Sequence, residues 1–172
     1  MCEWNNKVNS FQKALADKQL QLNRGQTSTL QINIGYLCNL ACKHCHMSAG
    51  PKREEVMNKE TMDAVIHYAN IHDFSVIDIT GGAPEMVPHI DYLLEQLAPL
   101  TQTIMMRTNL VALLENKSKS LLEICRRLKV ALVASFPSIN QSQADSQRGQ
   151  GGAVAEPDHA HYRTLSLGFP GH

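Results

Sequence analysis

The sequence lacks an excess of charge of either sign, and it lacks any long apolar run. Sixteen Lys and Arg residues are balanced by sixteen Asp and Glu residues, so no long-range field holds the chain on nucleic acid or on an anionic membrane. No apolar stretch approaches membrane-spanning length, and the polar N-terminus has no apolar signal core. We therefore expect a soluble, cytoplasmic protein that acts on a small molecule, with neither nucleic acid nor membrane as a partner.

The sequence also lacks the evenly paired cysteines of a disulfide framework. Its five cysteines are an odd number, and three of them lie within eight residues. Clustered thiols in a reducing compartment are typical of a metal site. A hydrophobic content of 43% in 172 residues is enough for the core of one domain of ordinary size.

Apolar residues recur with the periods of alternating strands and helices between residues 29 and 135. Strands are predicted over 29–35, 74–79, 103–107 and 129–135, and helices over 58–70, 89–97 and 118–128. The first strand alternates at period two, and the last is almost wholly apolar. Continuous apolar strands suit a parallel sheet covered by helices. The order β-α-β-α-β-α-β therefore predicts an α/β fold, as a barrel or an open doubly wound sheet.

Two flanking regions fall outside this pattern. A short lead-in helix is predicted over 11–22, before an Asn-Arg-Gly stop. From residue 138 onward the sequence is rich in Gly, Gln, Ser and Pro and lacks sustained periodicity. Such a segment cannot bury enough apolar surface to offset its ordering entropy, so we expect a poorly ordered tail.

The most informative loop follows the first predicted strand and carries Cys38, Cys42 and Cys45 in C-x3-C-x2-C spacing. Three thiolates on one loop fit three irons of a [4Fe–4S] cluster and leave the fourth iron open to an outside ligand, unlike the four-cysteine clusters of electron transfer. The alternative is zinc, which needs four ligands, commonly in paired spacing. No second pair is present, and His46 adjoins Cys45 too closely to reach the same ion without strain. The loop favours a cluster with an open iron over zinc.

A second loop, Thr80-Gly-Gly-Ala-Pro-Glu85, follows the second predicted strand. Its two glycines let main-chain groups approach a ligand without an intervening Cβ. Arg107 and Asn109 end the third strand, and Ser135 ends the fourth. Because α/β barrels build their sites at the carboxyl ends of their strands, we expect all these groups to lie at one edge.

Together the two loops resemble the signature of radical S-adenosylmethionine (SAM) enzymes. The resemblance implies a [4Fe–4S] cluster on Cys38, Cys42 and Cys45 and S-adenosyl-L-methionine as cofactors, with the amine and carboxylate of SAM on the open iron. It also implies an electron donor such as flavodoxin or ferredoxin. No side chain is assigned a catalytic role.

The same resemblance gives an expected role to the glycine loop and the strand ends. The family's Gly-Gly-Glu motif binds the methionyl amine of SAM, and here it is lengthened to Gly-Gly-Ala-Pro-Glu. His44 lies where the family usually carries an aromatic residue beside the adenine, and a solvated loop histidine is the alternative. Arg107 and Asn109 are expected at the SAM carboxylate or ribose. The expected SAM-binding residues are His44, Gly81, Gly82, Ala83, Pro84, Glu85, Arg107, Asn109 and Ser135.

Longer strings resemble one group within that family, the arsenosugar biosynthesis radical SAM proteins. They are Cys42-Lys-His-Cys-His-Met-Ser-Ala-Gly-Pro51, Thr80-Gly-Gly-Ala-Pro-Glu-Met-Val-Pro-His89, Arg107-Thr-Asn-Leu110, Val133-Ala-Ser-Phe-Pro137 and Gln147-Arg-Gly149. The resemblance implies that the 5′-deoxyadenosyl group of SAM is joined to a trivalent methylated arsenical, which gives a precursor of arsenosugars.

This resemblance extends from about Leu30 to Gly149. Radical SAM cores usually comprise six βα units, whereas four strands are predicted here, so we expect a partial radical SAM barrel. We divide the chain into a helical lead-in over 1–27, a partial core over 28–149 and an irregular tail over 150–172. The alternatives to an active enzyme are an inactive truncated remnant, an iron–sulfur electron-transfer module and a zinc-binding structural domain.

Overall fold

The computed structural model describes residues 4–114 and 119–149, and within them four strands alternate with helices. The strands are β1 (Thr29–Asn33), β2 (Val76–Thr80), β3 (Thr103–Thr108) and β4 (Ala131–Ala134). The helices are α1 (Trp4–Asp17), α2 (Lys59–Ile71), α3 (Ile90–Leu97), α4 (Lys119–Arg127) and α5 (Gln141–Arg148). The described strands form one parallel sheet in the order β1-β2-β3-β4. The predicted α/β fold with four parallel strands is confirmed.

The two faces of the sheet differ because side chains alternate along each strand. One face is apolar and packs against α2, α3 and α4. The sheet side chains buried there, each at most 5% exposed, are Ile32, Ile77, Ile79, Ile104 and Met106. The opposite face is polar and carries Gln31, Asn33, Asp78, Thr80 and Arg107. The sheet therefore has one structural face and one face open to a ligand.

Helix α2 begins where the sequence predicts it. The Asn58 side chain caps the helix by accepting a hydrogen bond from the Thr61 amide at 2.9 Å, which satisfies one of the free amides of the first turn. Tyr92 of α3 donates a hydrogen bond to Asp63 at 2.6 Å, and Lys59 lies 4.1 Å from the centre of the Tyr92 ring. These contacts join α2 to α3 on the outside of the sheet.

The structure corrects the predicted position of the lead-in helix. That helix spans Trp4–Asp17 rather than residues 11–22. Gln19 has a left-handed φ of 52°, and its amide bonds to the Ala16 carbonyl as the chain leaves the helix. A residue in this conformation cannot continue a right-handed helix, so the predicted second half is not helical.

Residues 141–148, predicted as part of a poorly ordered tail, instead form α5. Asn140 caps the helix by accepting a hydrogen bond from the Gln143 amide at 3.2 Å. The helix packs through Ala144 and Arg148, which are each 3% exposed. Because one of these two contact residues is charged, α5 has no apolar stripe for a periodicity argument to detect. The irregular tail predicted over 150–172 lies outside the described residues.

Strand β4 lies at one edge of the sheet, and its four residues are half-buried or exposed. Val133 is 36% exposed on the polar face, and Phe136 just beyond the strand is 40% exposed. Because the sequence predicts only four strands and the last is almost wholly apolar, an apolar strand is expected at the edge of the sheet. Among the described helices, none is both long and apolar enough to cross a membrane.

Candidate functional site

The cysteine loop lies at the carboxyl edge of β1 and is held by main-chain hydrogen bonds on two sides. On one side, the Ala83 amide of the glycine loop donates to the Leu37 carbonyl at 2.8 Å. On the other side, the Cys38 amide donates to the Gly50 carbonyl at 3.3 Å. The two loops picked out from the sequence are therefore in direct contact, as the parallel topology predicts.

This contact requires a glycine at position 82. A Cβ at Gly82 would lie 2.3 Å from the carbonyl oxygen of Leu37 and 2.9 Å from that of Tyr36, and real Cβ atoms do not approach so closely. From the sequence, the missing Cβ is expected to leave room for a ligand. In the structure, the cysteine-loop backbone occupies the space where that Cβ would stand.

The three cysteines of the loop lie in one small apolar cluster. Cys38 is 6% exposed and packs with Leu40 and with Ala83 of the glycine loop, while Cys42 and Cys45 are half-buried at the edge of the same cluster. All three are free thiols. The fold thus brings together the thiols that the spacing predicts as metal ligands.

Main-chain amides point at two of the three sulfur atoms. The Leu40 amide donates to Cys38 Sγ and the Ala49 amide donates to Cys45 Sγ, each at 3.4 Å. Burial raises the pKa of the Cys38 thiol and of the Cys42 thiol. Both groups are therefore neutral in the metal-free protein, and a metal must displace their protons to bind.

This donor set fits a cluster of several irons better than a single ion. Among the described residues, no three His, Cys, Asp or Glu side chains are arranged to hold one metal ion. A zinc ion draws its ligands around one point, whereas each cysteine of a [4Fe–4S] cluster binds a different iron. Three thiols on one loop, two of them with amide donors to sulfur, match the second arrangement.

Asn109 reaches the cysteine loop from the end of β3. Its Nδ2 lies 3.6 Å from Cys38 Sγ and 2.8 Å from the Asn39 side-chain oxygen. Its own Oδ1 accepts a hydrogen bond from the Val111 amide at 2.9 Å. Between these contacts Leu110 adopts a left-handed φ of 69°, a strained conformation for a residue with a branched side chain. Asn109, predicted as a SAM contact, is here a direct partner of a cysteine.

Glu85 of the glycine loop points toward the helix-covered side of the sheet. The Thr108 hydroxyl donates a hydrogen bond to its Oε1 at 2.7 Å. Its Oε2 is buried and has no hydrogen-bond partner within the described structure, and burial raises the pKa of the carboxyl. The glycine-loop residue that packs with Cys38 is Ala83.

Arg107 lies on the polar face of the sheet and is held by Asp78. Its Nε lies 3.0 Å from Asp78 Oδ1 and its Nη2 lies 2.8 Å from Oδ2. Gln31 also donates to this carboxylate, at 2.8 Å. The hydrogen bonds from Arg107 lower the pKa of Asp78, although Asp78 is only 3% exposed. Arg107 and Asp78 thus form a charge-balanced ion pair on the polar face of the sheet.

An open cleft of about 410 Å³ lies over this ion pair and beside the cysteine loop. Asn33 donates a hydrogen bond to the thioether sulfur of Met47 at 3.1 Å, which fixes one wall. The cleft has the size of a site for a small molecule. Its lining residues are Gln31, Asn33, His46, Met47, Thr80 and Arg107.

The remaining predicted residues His44, Pro84 and Ser135 are not among the residues that line this cleft. His44 is exposed on the cysteine loop, and Pro84 is buried at the start of the 3-10 turn Pro84–Met86. Ser135 is exposed, and its carbonyl oxygen accepts a hydrogen bond from Arg148. Arg148 was not predicted as a site residue. The string Gln147-Arg-Gly149, one of those that resemble the family, could have indicated it.

Residues 32–142 match the family model described as Radical SAM superfamily. The chain belongs to the radical SAM superfamily. Its members are enzymes that bind a [4Fe–4S] cluster and SAM, so the prediction of these two cofactors and of an enzyme family is confirmed. The matched residues include both the cysteine loop and the glycine loop.

Two curated relatives of this radical SAM chain are each named as a probable GTP 3′,8-cyclase. The protein from Pyrococcus horikoshii is 26% identical over 82 residues, which are 48% of this chain and 26% of that protein. The protein from Pyrococcus abyssi is 24% identical over 82 residues, which are 48% of this chain and 27% of that protein. These matches span about a quarter of the relatives' length.

Two solved structures share the fold of this radical SAM chain. Streptococcus suis SuiB bound to S-adenosylmethionine has a TM-score of 0.62 at 19% identity, over 87% of this chain and 34% of SuiB. SuiB bound to the precursor peptide SuiA has a TM-score of 0.60 at 19% identity, over 84% and 31%. The four-stranded sheet thus has its counterpart within a larger chain, that of SuiB.

Proposed function

We propose that this chain holds its [4Fe–4S] cluster on Cys38, Cys42 and Cys45 and binds SAM beside it. The observation that carries the proposal is the apolar cluster shared by the three thiols and Ala83. It joins the cysteine loop to the glycine loop at the carboxyl edge of a parallel sheet, where barrel enzymes place their chemistry. One electron donor of the flavodoxin or ferredoxin class would serve the site.

When bound, a reduced cluster would supply the single electron for reductive cleavage of SAM. The role of the protein is to position SAM and to shield the reaction from water. We expect the carbonyl groups of Gly81 and Gly82 to accept from the methionyl amine, because the Gly82 and Ala83 amides already donate to Gly35 and Leu37, while His44 is available to the adenine. Arg107, Asn109 and Ser135 are proposed as contacts to the ribose and the carboxylate of SAM.

The substrate that we propose is a trivalent methylated arsenical, which becomes joined to the 5′ carbon of the deoxyadenosyl group. The support is the set of strings that resemble those of arsenosugar biosynthesis proteins, above all the ten residues from Thr80 to His89. The cleft beside the cysteine loop offers the Met47 thioether and the His46 imidazole, and a thioether is a soft donor suited to a soft element. The curated GTP 3′,8-cyclases do not decide the substrate, because they match over about a quarter of their length.

Anaerobic reconstitution with iron and sulfide, followed by electron paramagnetic resonance (EPR) of the dithionite-reduced protein, tests the cofactor proposal. We expect a reduced-cluster signal that changes when SAM is added, together with 5′-deoxyadenosine in the products. A signal indifferent to SAM would favour an electron-transfer module, and stoichiometric zinc would favour a structural domain. A SAM-dependent signal without any 5′-deoxyadenosine would favour an inactive remnant.

The substrate is tested separately by mass spectrometry after incubation with dimethylarsinous acid, with GTP as the comparison compound. An adenosylated arsenical that forms only in the presence of SAM and reductant is the expected product. Turnover of GTP, with no reaction of the arsenical, would replace the proposed substrate and leave the cofactor proposal intact.

A further inference from the structure

A tight turn at the end of the cysteine loop directs one peptide group at a predicted ligand. The Ser48 amide donates to the Cys45 carbonyl at 3.1 Å, and Ser48 has a left-handed φ of 50°. The next amide, that of Ala49, donates to Cys45 Sγ at 3.4 Å. A serine in the left-handed region is strained and persists only where its surroundings fix it. The turn therefore needs a contact that holds it.

Arg53 makes that contact. Its Nη1 donates a hydrogen bond to the Ser48 carbonyl oxygen at 3.0 Å. This carbonyl and the Ala49 amide belong to one planar trans peptide unit, so they point in opposite directions. A bond that fixes the carbonyl therefore also fixes the direction of the N–H that reaches the Cys45 sulfur. The same bond polarises the peptide, which strengthens its N–H as a donor.

Two neighbours hold the Arg53 side chain in place. The Glu55 carboxylate accepts from Nε at 2.9 Å and from Nη2 at 2.7 Å, a two-point contact that the planar guanidinium allows. The guanidinium carbon lies 4.7 Å from the centre of the Tyr36 ring, and the Tyr36 amide donates to the Glu55 carbonyl at 2.8 Å. Arg53 therefore contacts both the beginning and the end of the cysteine loop. Because Glu55 balances its charge, its effect on the loop comes from geometry.

We propose that Arg53 is a positioning residue for the cluster site. It holds the Ser48–Ala49 peptide so that the N–H stays on the Cys45 sulfur. This inference rests on the proposed function, which places a cluster on that sulfur. Hydrogen bonds to the sulfur ligands are among the features that set the reduction potential of an iron–sulfur cluster. Such a bond stabilises the more negative, reduced state, so its loss makes the midpoint potential more negative.

Three variants separate geometry from charge. Arg53→Met keeps the apolar stem and removes both the donor and the charge. Arg53→Lys keeps the charge but lacks the planar fork that serves the Ser48 carbonyl and Glu55 together. The matched control is Lys52→Met, which removes the same charge from the adjacent, exposed position of the chain.

The first measurement is amide hydrogen exchange, followed by NMR on the full chain without metal. We expect the Ala49 amide to exchange several-fold faster in Arg53→Met and Arg53→Lys than in the wild type and Lys52→Met. The Gly82 amide, which donates to the Gly35 carbonyl at 2.9 Å, should keep its wild-type rate in all four proteins. Unchanged Ala49 exchange would overturn the proposal. Equal acceleration of both amides would make Arg53 a general support of the fold and would overturn it too.

The second measurement is an EPR-monitored redox titration of the reconstituted full chain without SAM. We expect a more negative midpoint potential in Arg53→Met and Arg53→Lys and a wild-type value in Lys52→Met. Equal shifts in Arg53→Met and Lys52→Met would make charge the cause and overturn the proposal. A wild-type potential in Arg53→Lys would do the same, whether or not Arg53→Met is shifted.

Circular dichroism and iron analysis separate these results from a folding defect. If Arg53→Met fails to fold or to take up iron, Arg53→Lys decides by both measurements. A wild-type chain that takes up no cluster would instead overturn the proposed function, whereas each outcome named above leaves the wild-type cluster in place.

Discussion

The side-chain amide of Asn109 donates a hydrogen bond to the Cys38 thiol, with Nδ2 3.6 Å from Sγ. This bond ties the end of β3 to the cysteine loop after β1, two strands away. Amide donors to sulfur stabilise a thiolate and thereby a cluster bound to it. The third strand thus supports the metal site without supplying a ligand.

Asn109→Ala is expected to accelerate iron loss from the reconstituted protein. Removal of one hydrogen bond costs about 1 kcal/mol, or roughly fivefold in rate. Asn109→Asp should lose iron faster still, because a carboxylate would face the thiolate. Iron release to a chelator, followed by absorbance, measures both, with the exposed Asn70→Ala as control. Equal rates of iron release in the wild type and the three variants would show that Asn109 does not stabilise the cluster.

Gly82→Ala is expected to destabilise the metal-free chain by about 1–3 kcal/mol, the usual cost of overpacking. The added Cβ would lie 2.3 Å from the Leu37 carbonyl oxygen, so the cysteine loop has to move. Urea unfolding gives the stability, and iron content after reconstitution gives the effect on the site. Gly25→Ala is the control, since nothing lies within 4 Å of a Cβ there. A fully stable, fully loaded Gly82→Ala would contradict the packing.

Asp78→Asn is expected to destabilise the chain at neutral pH by roughly 1 kcal/mol, a modest value because the Arg107 side chain is 47% exposed. The pKa of Asp78 is lowered in the folded state by Arg107. Its contribution is therefore present above the unfolded pKa of about 3.9 and is lost as the pH falls through the lower folded value. Urea unfolding across pH should show the two proteins converging in acid. A difference that persists at low pH would exclude the ion pair as its cause.

Glu85→Gln is expected to stabilise the metal-free chain at neutral pH. Burial raises the folded-state pKa of Glu85, so the folded state binds more protons than the unfolded state in the interval above about pH 4.3. Stability then falls as the pH rises through that interval, and glutamine removes the loss while it still accepts the Thr108 hydroxyl. Thermal unfolding from pH 4 to 8 should give a flatter profile for the variant. Parallel profiles would show that Glu85 does not titrate abnormally.

The sheet and the contact between the two loops could be predicted from the sequence because both depend on local sequence patterns. Alternating apolar residues such as Leu30 and Ile32 mark a strand, and parallel strands bring their carboxyl ends to one edge. The spacing of Cys38, Cys42 and Cys45 then indicates a metal loop at that edge. None of these steps depends on how distant segments pack.

The missed features all depend on contacts between segments far apart in the chain. Glu85 accepts a hydrogen bond from Thr108, and a Cβ at Gly82 would meet the Leu37 backbone. Helix α5 is held by Arg148, a residue type that hydrophobic patterning counts as solvated. Positions set by tertiary packing leave no trace in the local pattern, so the sequence does not predict them.

The most direct test of the central claim is iron, sulfide and zinc analysis combined with Mössbauer spectroscopy on the anaerobically reconstituted chain and its cysteine variants. The account predicts one [4Fe–4S] cluster in the wild type, its loss when Cys38, Cys42 and Cys45 are all changed to alanine, and its retention in Cys125→Ala. Cys125 is the matched control because it is a buried thiol on α4, away from the cysteine loop, with a pKa raised to about 11 by burial. Retained iron in the triple variant, or stoichiometric zinc in place of iron in the wild type, would contradict the account.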